Sequence, residues 1–317
     1  MRAFGNVLDQ CLAVTPGEEV VLLADEGTDA GVVAGLSNGI LERDAIALVA
    51  RMPSPRLPGA EPPAAVAAMM RHAAATIELT SLFIGSSAAR RAATGGGARY
   101  LAMPGVRLET FRPGGPLAVD FERLRVDAEH VGAAWDRASG FRLTSRAGTD
   151  LRGSVEDRPG RVLHGMAREP GAYMAPPDVE AGTAPVEGTA TGVVVVDADL
   201  LFMGEGPLDE PVVLHVTDGR LTAIEGAARS RLESMLERCA DDQMANIAEV
   251  SMAFNPAGVV CSVPMETESS RGSAHIALGN SIAYGGRVNA IAHLDCVMRD
   301  AALELDGRLV MAEGTLS

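Results

Sequence analysis

The sequence has few aromatic residues and few cysteines. The first shortage limits how a core can be filled, and the second excludes some kinds of metal and redox site. Aromatic residues make up 3% of the 317 residues, although 47% of the chain is hydrophobic. Aliphatic side chains and methionine must therefore fill most of any core. The four cysteines lie far apart and include no Cys-x-x-Cys pair. Neither a structural zinc knot nor a thioredoxin-type site is expected.

The sequence also lacks long apolar runs, and it has fewer basic than acidic residues. No apolar run reaches the roughly 18 residues that a membrane span needs, and the first residues lack the apolar stretch of a signal peptide. We therefore expect a cytoplasmic protein with no membrane partner. The chain has 27 basic against 42 acidic residues, and its net charge of −15 argues against nucleic acid as a partner.

Short apolar runs alternate with amphipathic segments in the first part of the chain. Residues 20–24 and 45–49 are continuous apolar runs, typical of strands buried on both faces. Residues 29–42, between them, have apolar side chains at helical spacing. Another short strand is expected at 82–85. Strands that alternate with helices predict a parallel sheet, so we expect an α/β fold whose N-terminal sheet has helices on both faces.

The composition changes in the second half. Residues 158–185 are rich in glycine, proline and acidic residues, which marks the best domain boundary. Short aliphatic or β-branched runs then follow, separated by turn residues. Strands are expected at 192–196, 212–216, 221–225, 247–254, 259–263 and 274–278. We predict an N-terminal α/β domain at 1–165 and a C-terminal α+β domain at 175–317.

Two histidines and a carboxylate stand out near the C-terminus. On an extended strand His293 and Asp295 point to the same face, while Leu294 points the other way, into a core. His275 opens an apolar, strand-like run. Imidazole nitrogen and carboxylate oxygen suit zinc, manganese or ferrous iron. A single His-x-Asp also fits two surface polar residues, so the choice depends on further donors.

Glutamates supply those donors. Glu249 stands among apolar residues, and burying an unpaired carboxylate is costly, so it lies at a strand edge or binds a ligand. Either Glu180 or Glu187 can provide another carboxylate. Two histidines and three carboxylates suffice for a two-metal hydrolytic site and exceed the two-histidine, one-carboxylate ferrous site. The candidates are Glu180, Glu249, His275, His293 and Asp295.

Four motifs, in order, resemble those of the thermophilic metallo-aminopeptidases typified by aminopeptidase T and aminopeptidase S. They are residues 177–185 with Glu180, 248–252 with Glu249, 275–279 with His275, and 293–295 with His293 and Asp295. The resemblance covers about residues 175–317. It identifies the C-terminal domain as metal-binding and catalytic.

The resemblance implies a metal-dependent hydrolase of the aminopeptidase or amidase type, acting on a short peptide or small amide. All five candidates would bind one or two ions of zinc, cobalt or manganese. Glu249 and Tyr284 would act in catalysis, although Tyr284 stands about two residues later than the family's tyrosine. The family also implies a homodimer.

Two alternatives stay open. The same superfamily includes 2,5-dihydroxypyridine 5,6-dioxygenases, which use one ferrous ion. This chain resembles them in its short length and in its tail, residues 285–299 and 305–307. Those enzymes imply a histidine near position 249 and no need for a carboxylate at 180. The presence of Glu180, Glu249 and His275 therefore favours the hydrolase. The second alternative is a catalytically silent binding protein.

Overall fold

The computed structural model describes residues 2–204 and 206–317. The α-helices are α1 (Arg2–Asn6), α2 (Ala30–Leu41), α3 (Ala64–His72), α4 (Ala88–Gly95), α5 (Phe121–Trp135), α6 (Arg229–Cys239) and α7 (Pro264–Ser269). A π-helix spans Val7–Cys11, and 3-10 helices span Leu108–Phe111, Asp242–Ala245 and Ile282–Tyr284. Within the described ranges, no helix has the length and apolarity to cross a membrane.

The β-strands are short and form three sheets. They are β1 (Glu19–Ala24), β2 (Ile46–Arg51), β3 (Ala75–Glu78), β4 (Arg99–Ala102), β5 (Gly140–Ser145), β6 (Asp150–Ser154), β7 (Arg161–Leu163), β8 (Tyr173–Met174), β9 (Glu180–Thr183), β10 (Thr191–Val196), β11 (Asp199–Leu200), β12 (Val212–Thr217), β13 (Arg220–Glu225), β14 (Ile247–Ala253), β15 (Ala274–Gly279), β16 (His293–Met298), β17 (Ala301–Leu305), β18 (Arg308–Ala312) and β19 (Thr315–Leu316).

The chain divides into two compact units. The first comprises residues 1–122, 164–178 and 263–266, and the second comprises 123–163, 179–262 and 267–317. The hairpin of β5 and β6 thus lies in the second unit. The division into domains at 1–165 and 175–317 stays a prediction.

The first unit contains a parallel sheet of order β2-β1-β3-β4-β8. β3 and β4 are buried at every residue, and β1 at every residue except Glu19. Such burial on both faces explains the continuous apolar runs in the sequence. Asp29 begins α2 by accepting a hydrogen bond from the backbone N–H of Gly31, which satisfies one of the free donors of the first turn.

The second unit contains two antiparallel sheets. The eight-stranded sheet has the order β13-β12-β10-β6-β5-β17-β18-β19, and the six-stranded sheet has the order β11-β16-β15-β14-β9-β7. β14 lies inside the six-stranded sheet and is buried throughout. Trp135 is also buried and donates from its indole N–H to the carbonyl of Ala181, at 3.3 Å. The carbonyl of Ala181 in β9 thereby accepts a hydrogen bond from a residue outside the sheet.

These sheets and helices confirm the predicted fold class. The strand predicted at 45–49 exists as β2, but its full burial is wrong: β2 lies at the sheet edge, and Ile46 and Val49 are exposed. The strand predicted at 82–85 is wrong because the backbone there turns, and Ile84 donates its N–H to the side chain of Glu78 at 2.6 Å.

The strand predicted at 259–263 is wrong for a similar reason. Cys261 exchanges both backbone hydrogen bonds with the hydroxyl of Thr267, at 2.9 and 2.7 Å, and Val259 is exposed. Conversely, the loop-like segment 158–185 contains three short strands, β7, β8 and β9. The composition of that segment concealed them.

Candidate metal centre

Four neighbouring strands of the six-stranded sheet carry the candidate ligands. Glu180 begins β9, Glu249 lies on β14, His275 on β15, and His293 and Asp295 on β16. Residues directly opposite each other in antiparallel strands share a face, as do residues two apart on one strand. The pairings therefore place all five side chains on one face of the sheet.

A glycine makes this close arrangement possible. Gly182 of β9 pairs with Ser251 of β14, and a β-carbon at Gly182 would lie 1.7 Å from the hydroxyl oxygen of Ser251. No other residue fits without displacing Ser251. The hydroxyl of Ser251 in turn donates to Oε1 of Glu249 and holds that carboxylate in place.

Glu249 lies between the two histidines. Its Oε1 is 3.0 Å from Nε2 of His275, and its Oε2 is 2.9 Å from Nε2 of His293. Glu180 Oε2 also lies 3.0 Å from His275 Nε2, and Asp295 Oδ1 lies 3.2 Å from His293 Nε2. The site thus has two halves, with Glu249 reaching both.

Each half contains three side chains that could bind a metal ion. In one, ligand atoms of Glu180, Glu268 and His275 lie within 4.8 Å of one another; in the other, those of Glu249, His293 and Asp295 do. Each half has one histidine and two carboxylates. His293 Nδ1 lies 2.7 Å from the carbonyl of Asn280. With a proton on Nδ1, the imidazole donates a hydrogen bond to this carbonyl and leaves Nε2 available to bind an ion.

Glu268 was not among the ligands predicted from the sequence. It lies on α7, with Oε1 3.6 Å from Nε2 of His275, and its side chain is 9% exposed. A second acidic residue, Glu266, stands two positions earlier on the same short helix. Because a strand was wrongly predicted at 259–263, the helix that follows it was not expected. Its signal in the sequence was a pair of glutamates shortly before the candidate His275.

Glu180 and Glu187 have different surroundings in the structure. Glu187 lies outside both halves: its side chain pairs with Arg158 and accepts the backbone N–H of Arg287 at 2.7 Å. Tyr284, by contrast, reaches the site. Its hydroxyl donates to Glu180 Oε1 at 2.6 Å, and its ring stacks on His293 with centroids 5.5 Å apart.

Negative charge is concentrated in the cluster, which contains four carboxylates and two histidines. Burial raises the pKa of Glu180, and the charge of Glu249 raises it further. Burial also favours the neutral form of Glu249, but His275 and His293 outweigh it and hold the pKa of Glu249 at about 2. Burial opposes the charged form of His275, yet Glu180 and Glu249 raise its pKa well above 6.5.

A divalent cation would suit this concentration of negative charge. The chain contains no lysine, and within the described residues the ion pairs of Glu180, Glu249 and Asp295 are all with histidines. Within the same residues, the buried atoms Glu180 Oε2 and Asp295 Oδ1 form no hydrogen bond of good geometry. Each lies near one imidazole Nε2, at 3.0 and 3.2 Å, and that Nε2 is shared with Glu249. Buried acceptors without donors are costly. These residues therefore fit a divalent metal. Their carboxylate oxygens and imidazole nitrogens are suitable metal ligands, and they converge where the protein offers few hydrogen-bond donors.

The fold and this donor set define a mixed α/β protein with a candidate centre for divalent metal. A model of the NicX family, described as 2,5-dihydroxypyridine 5,6-dioxygenase, matches residues 1–317. The chain belongs to this family. A 2,5-dihydroxypyridine 5,6-dioxygenase from Pseudomonas putida KT2440 is 23% identical over 189 residues, which cover 56% of this chain and 54% of that protein. The match thus spans about half the length of the curated relative.

Two solved structures share the fold over nearly the whole chain. The structure of 2,5-dihydroxypyridine dioxygenase from Pseudomonas putida KT2440 has a TM-score of 0.82 at 19% identity and covers 100% of this chain and 96% of its own. Wild-type AmpT from Thermus thermophilus has a TM-score of 0.71 at 16% identity and covers 99% and 98%. The predicted resemblance is confirmed for the dioxygenase family by the family model, and for the aminopeptidases at the level of the fold.

Proposed function

We propose that the chain is a metal-dependent hydrolase of the aminopeptidase or amidase type. The observation that carries the proposal is the division of the two histidines. His275 and His293 lie in different halves of the site, each with two carboxylates, and Glu249 lies between them. This arrangement suits two ions with a shared carboxylate. It differs from the two histidines and one carboxylate that hold a single ferrous ion.

The residues have separable tasks in this proposal. Glu180, Glu268 and His275 would hold one ion, and Glu249, His293 and Asp295 would hold the other. Divalent ions in such a site supply an activated water and polarise a carbonyl. Ser251 orients Glu249, and the carbonyl of Asn280 orients His293, so the ligands are fixed before substrate binds.

Tyr284 acts as a hydrogen-bond donor in the reaction. Burial raises the pKa of its hydroxyl well above 10.0, and the charges of Glu180 and Glu249 raise it further. The phenol therefore keeps its proton at neutral pH. In the reaction the phenol would give up its hydrogen bond to Glu180 Oε1 and donate instead to the oxyanion that develops on the substrate carbonyl. A buried carboxylate of the cluster receives the proton from water and passes it to the leaving amine.

The substrate class and the assembly belong to the same proposal. A short peptide or small amide supplies the scissile carbonyl, and zinc, cobalt or manganese is the expected metal. The chain acts as a homodimer, as the resemblance to the aminopeptidases implies. Light scattering at micromolar concentration tests the assembly, and a monomer there contradicts it.

The second candidate is a ring-cleaving dioxygenase with one ferrous ion. The family to which the chain belongs and its curated relative carry that name, and this favours it. Such a site needs three donors. It would leave most of the carboxylates around His275 without a task in the reaction.

An anaerobic assay separates the two candidates. The hydrolase should cleave aminoacyl amides equally in air and under nitrogen, lose activity on chelation and regain it with zinc, cobalt or manganese. Glu180→Ala should abolish this activity. Glu225→Ala, which removes a glutamate paired with His215 outside the site, is the control. Oxygen uptake with a hydroxylated pyridine, dependence on ferrous iron and indifference to Glu180→Ala would replace the hydrolase with the dioxygenase.

A further inference from the structure

The turn that carries Tyr284 has little apolar support. We call residues 281–287 the Tyr284 turn. Its 3-10 helix, Ile282–Tyr284, contains no buried residue and has no side-chain cap at its N-terminus. Ile282 is 50% exposed. The hydrophobic effect therefore contributes little to the position of this turn, although Tyr284 reaches Glu180 and stacks on His293.

Polar contacts hold the turn instead. Arg158 is only 7% exposed, and its guanidinium donates to the carbonyl of Gly285 at 2.6 Å and to the carboxylate of Glu187. Glu187 accepts the backbone N–H of Arg287 at 2.7 Å. Arg158 and Glu187, which we call the brace, thus contact the backbone on the C-terminal side of Tyr284.

The backbone of the turn also packs closely against Pro159, the residue after Arg158. Gly285 has a φ of +84°, and a β-carbon there would lie 2.5 Å from the ring of Pro159, the neighbour of Arg158. The carbonyl of Pro159 accepts the hydroxyl of Thr183 at 2.8 Å, and the carbonyl of Tyr284 accepts the N–H of Ala184 at 3.1 Å. The same contacts therefore connect the turn to the end of β9, the strand of Glu180.

We propose that Arg158 and Glu187 are positioning residues that hold the Tyr284 hydroxyl over the site. This inference rests on the proposed function of Tyr284. A guanidinium is suited to the task because it donates to a carbonyl and a carboxylate at once in fixed directions. Loss of the brace leaves the metal ligands in place and lets the hydroxyl move, and small displacements of a reacting group reduce turnover strongly.

The first test is hydrogen–deuterium exchange of the whole protein, which needs no activity. Arg158→Met should speed exchange of the backbone amides in the Tyr284 turn and leave those of β14 unchanged. Arg99→Met is a matched control, because Arg99 is also 7% exposed and bonds both a carboxylate, Glu18, and backbone carbonyls. Unchanged exchange in the turn, or the same change in the control, would overturn the proposal.

The second test is a double-mutant cycle on hydrolysis. Arg158→Met should lower kcat by about 10- to 100-fold with little change in KM or in metal content. In a Tyr284→Phe background the same substitution should lower kcat by less than about twofold, because the two residues act as one unit. Equal losses in both backgrounds would show that the brace does not act through Tyr284.

Glu187→Gln keeps the size of the side chain and provides the same readouts should Arg158→Met not fold. It should loosen the turn less than Arg158→Met, since Arg158 still reaches Gly285. If the parent protein hydrolyses no amide, the proposed function fails, while faster exchange in the turn still supports the brace. If the parent is active and the turn does not loosen, only the brace fails.

Discussion

Each compact unit buries a group of acidic side chains, and the two groups differ in what surrounds them. In the first unit, Glu78 accepts hydrogen bonds from the N–H of Ile84 and from the hydroxyls of Thr80 and Tyr100. Asp25 accepts from Gly27 and twice from Ser81. These carboxylates are buried, but protein donors satisfy them.

In the second unit the carboxylates face one another and two histidines. Within the part of the chain that the structure describes, Glu180 Oε2 and Asp295 Oδ1 form no hydrogen bond of good geometry. The imidazole nitrogens nearest to them also contact Glu249. Burial of an acid alone therefore does not indicate a metal site. Several buried carboxylates that converge on the same two imidazole nitrogens do indicate one, because a cation can satisfy oxygens that a single shared N–H cannot.

The sharpest test of this difference is Glu249→Gln. The variant keeps the size of the side chain but removes the charge that both halves share. We expect the fold to persist, bound metal to fall and activity to drop by more than the roughly 10- to 100-fold that loss of a supporting residue costs. Elemental analysis and amide hydrolysis measure both effects. Metal content and turnover equal to those of the parent would show that Glu249 is not a ligand.

Tyr284→Phe should have the next largest effect. It removes one hydroxyl and keeps the ring that stacks on His293. Loss of one donor to a developing oxyanion lowers kcat by about 100- to 1000-fold, so we expect a loss of that order with bound metal retained. Tyr100→Phe, which removes the hydroxyl that bonds Glu78, is the control in the first unit. A kcat near that of the parent would exclude Tyr284 from the chemistry.

Glu268→Gln should act in opposite directions on metal affinity and on stability. Burial raises the pKa of Glu268 well above 4.5, and the charge of Asp295 raises it further, so the metal-free protein is strained by this acid. The variant should bind metal more weakly, yet its metal-free form should unfold at a higher temperature. Calorimetry of metal-free and metal-loaded protein measures both. A lower unfolding temperature without metal would indicate that Glu268 supports the fold.

Glu78→Gln should have the smallest effect and should leave metal content and activity unchanged. Burial raises the pKa of Glu78 from 4.5 to about 7, although Ile84, Tyr100 and Thr80 lower it in part. The native state therefore holds the proton between these pH values while the unfolded state has released it, and the free energy of unfolding falls as pH rises.

Because glutamine cannot ionise, the variant escapes this loss. Its free energy of unfolding, relative to the parent, should increase by on the order of 1–3 kcal/mol between about pH 4.5 and about pH 7. Denaturant titrations at the two pH values measure the change. A constant difference between variant and parent would mean that Glu78 does not titrate in this range.

Much of the fold could be predicted from the sequence because local patterns of apolar residues determine many of its helices and strands. The apolar run of β1 and the helical spacing of α2 predicted their elements to within a residue or two. β9 was missed because glycine, proline and acidic residues surround it, and its pairing with β14 comes from residues about 70 positions away. Local propensity says little about strands stabilised by such distant neighbours.

For the site, the sequence by itself determined the chemical types of the donors and the shared face of His293 and Asp295, because residues two apart on a strand point the same way. Only the tertiary structure places Glu180, and not Glu187, beside His275, brings Glu268 close to it, and separates the two histidines into two halves. Those outcomes depend on strand register and on the path of α7, which bring together side chains that no sequence spacing relates.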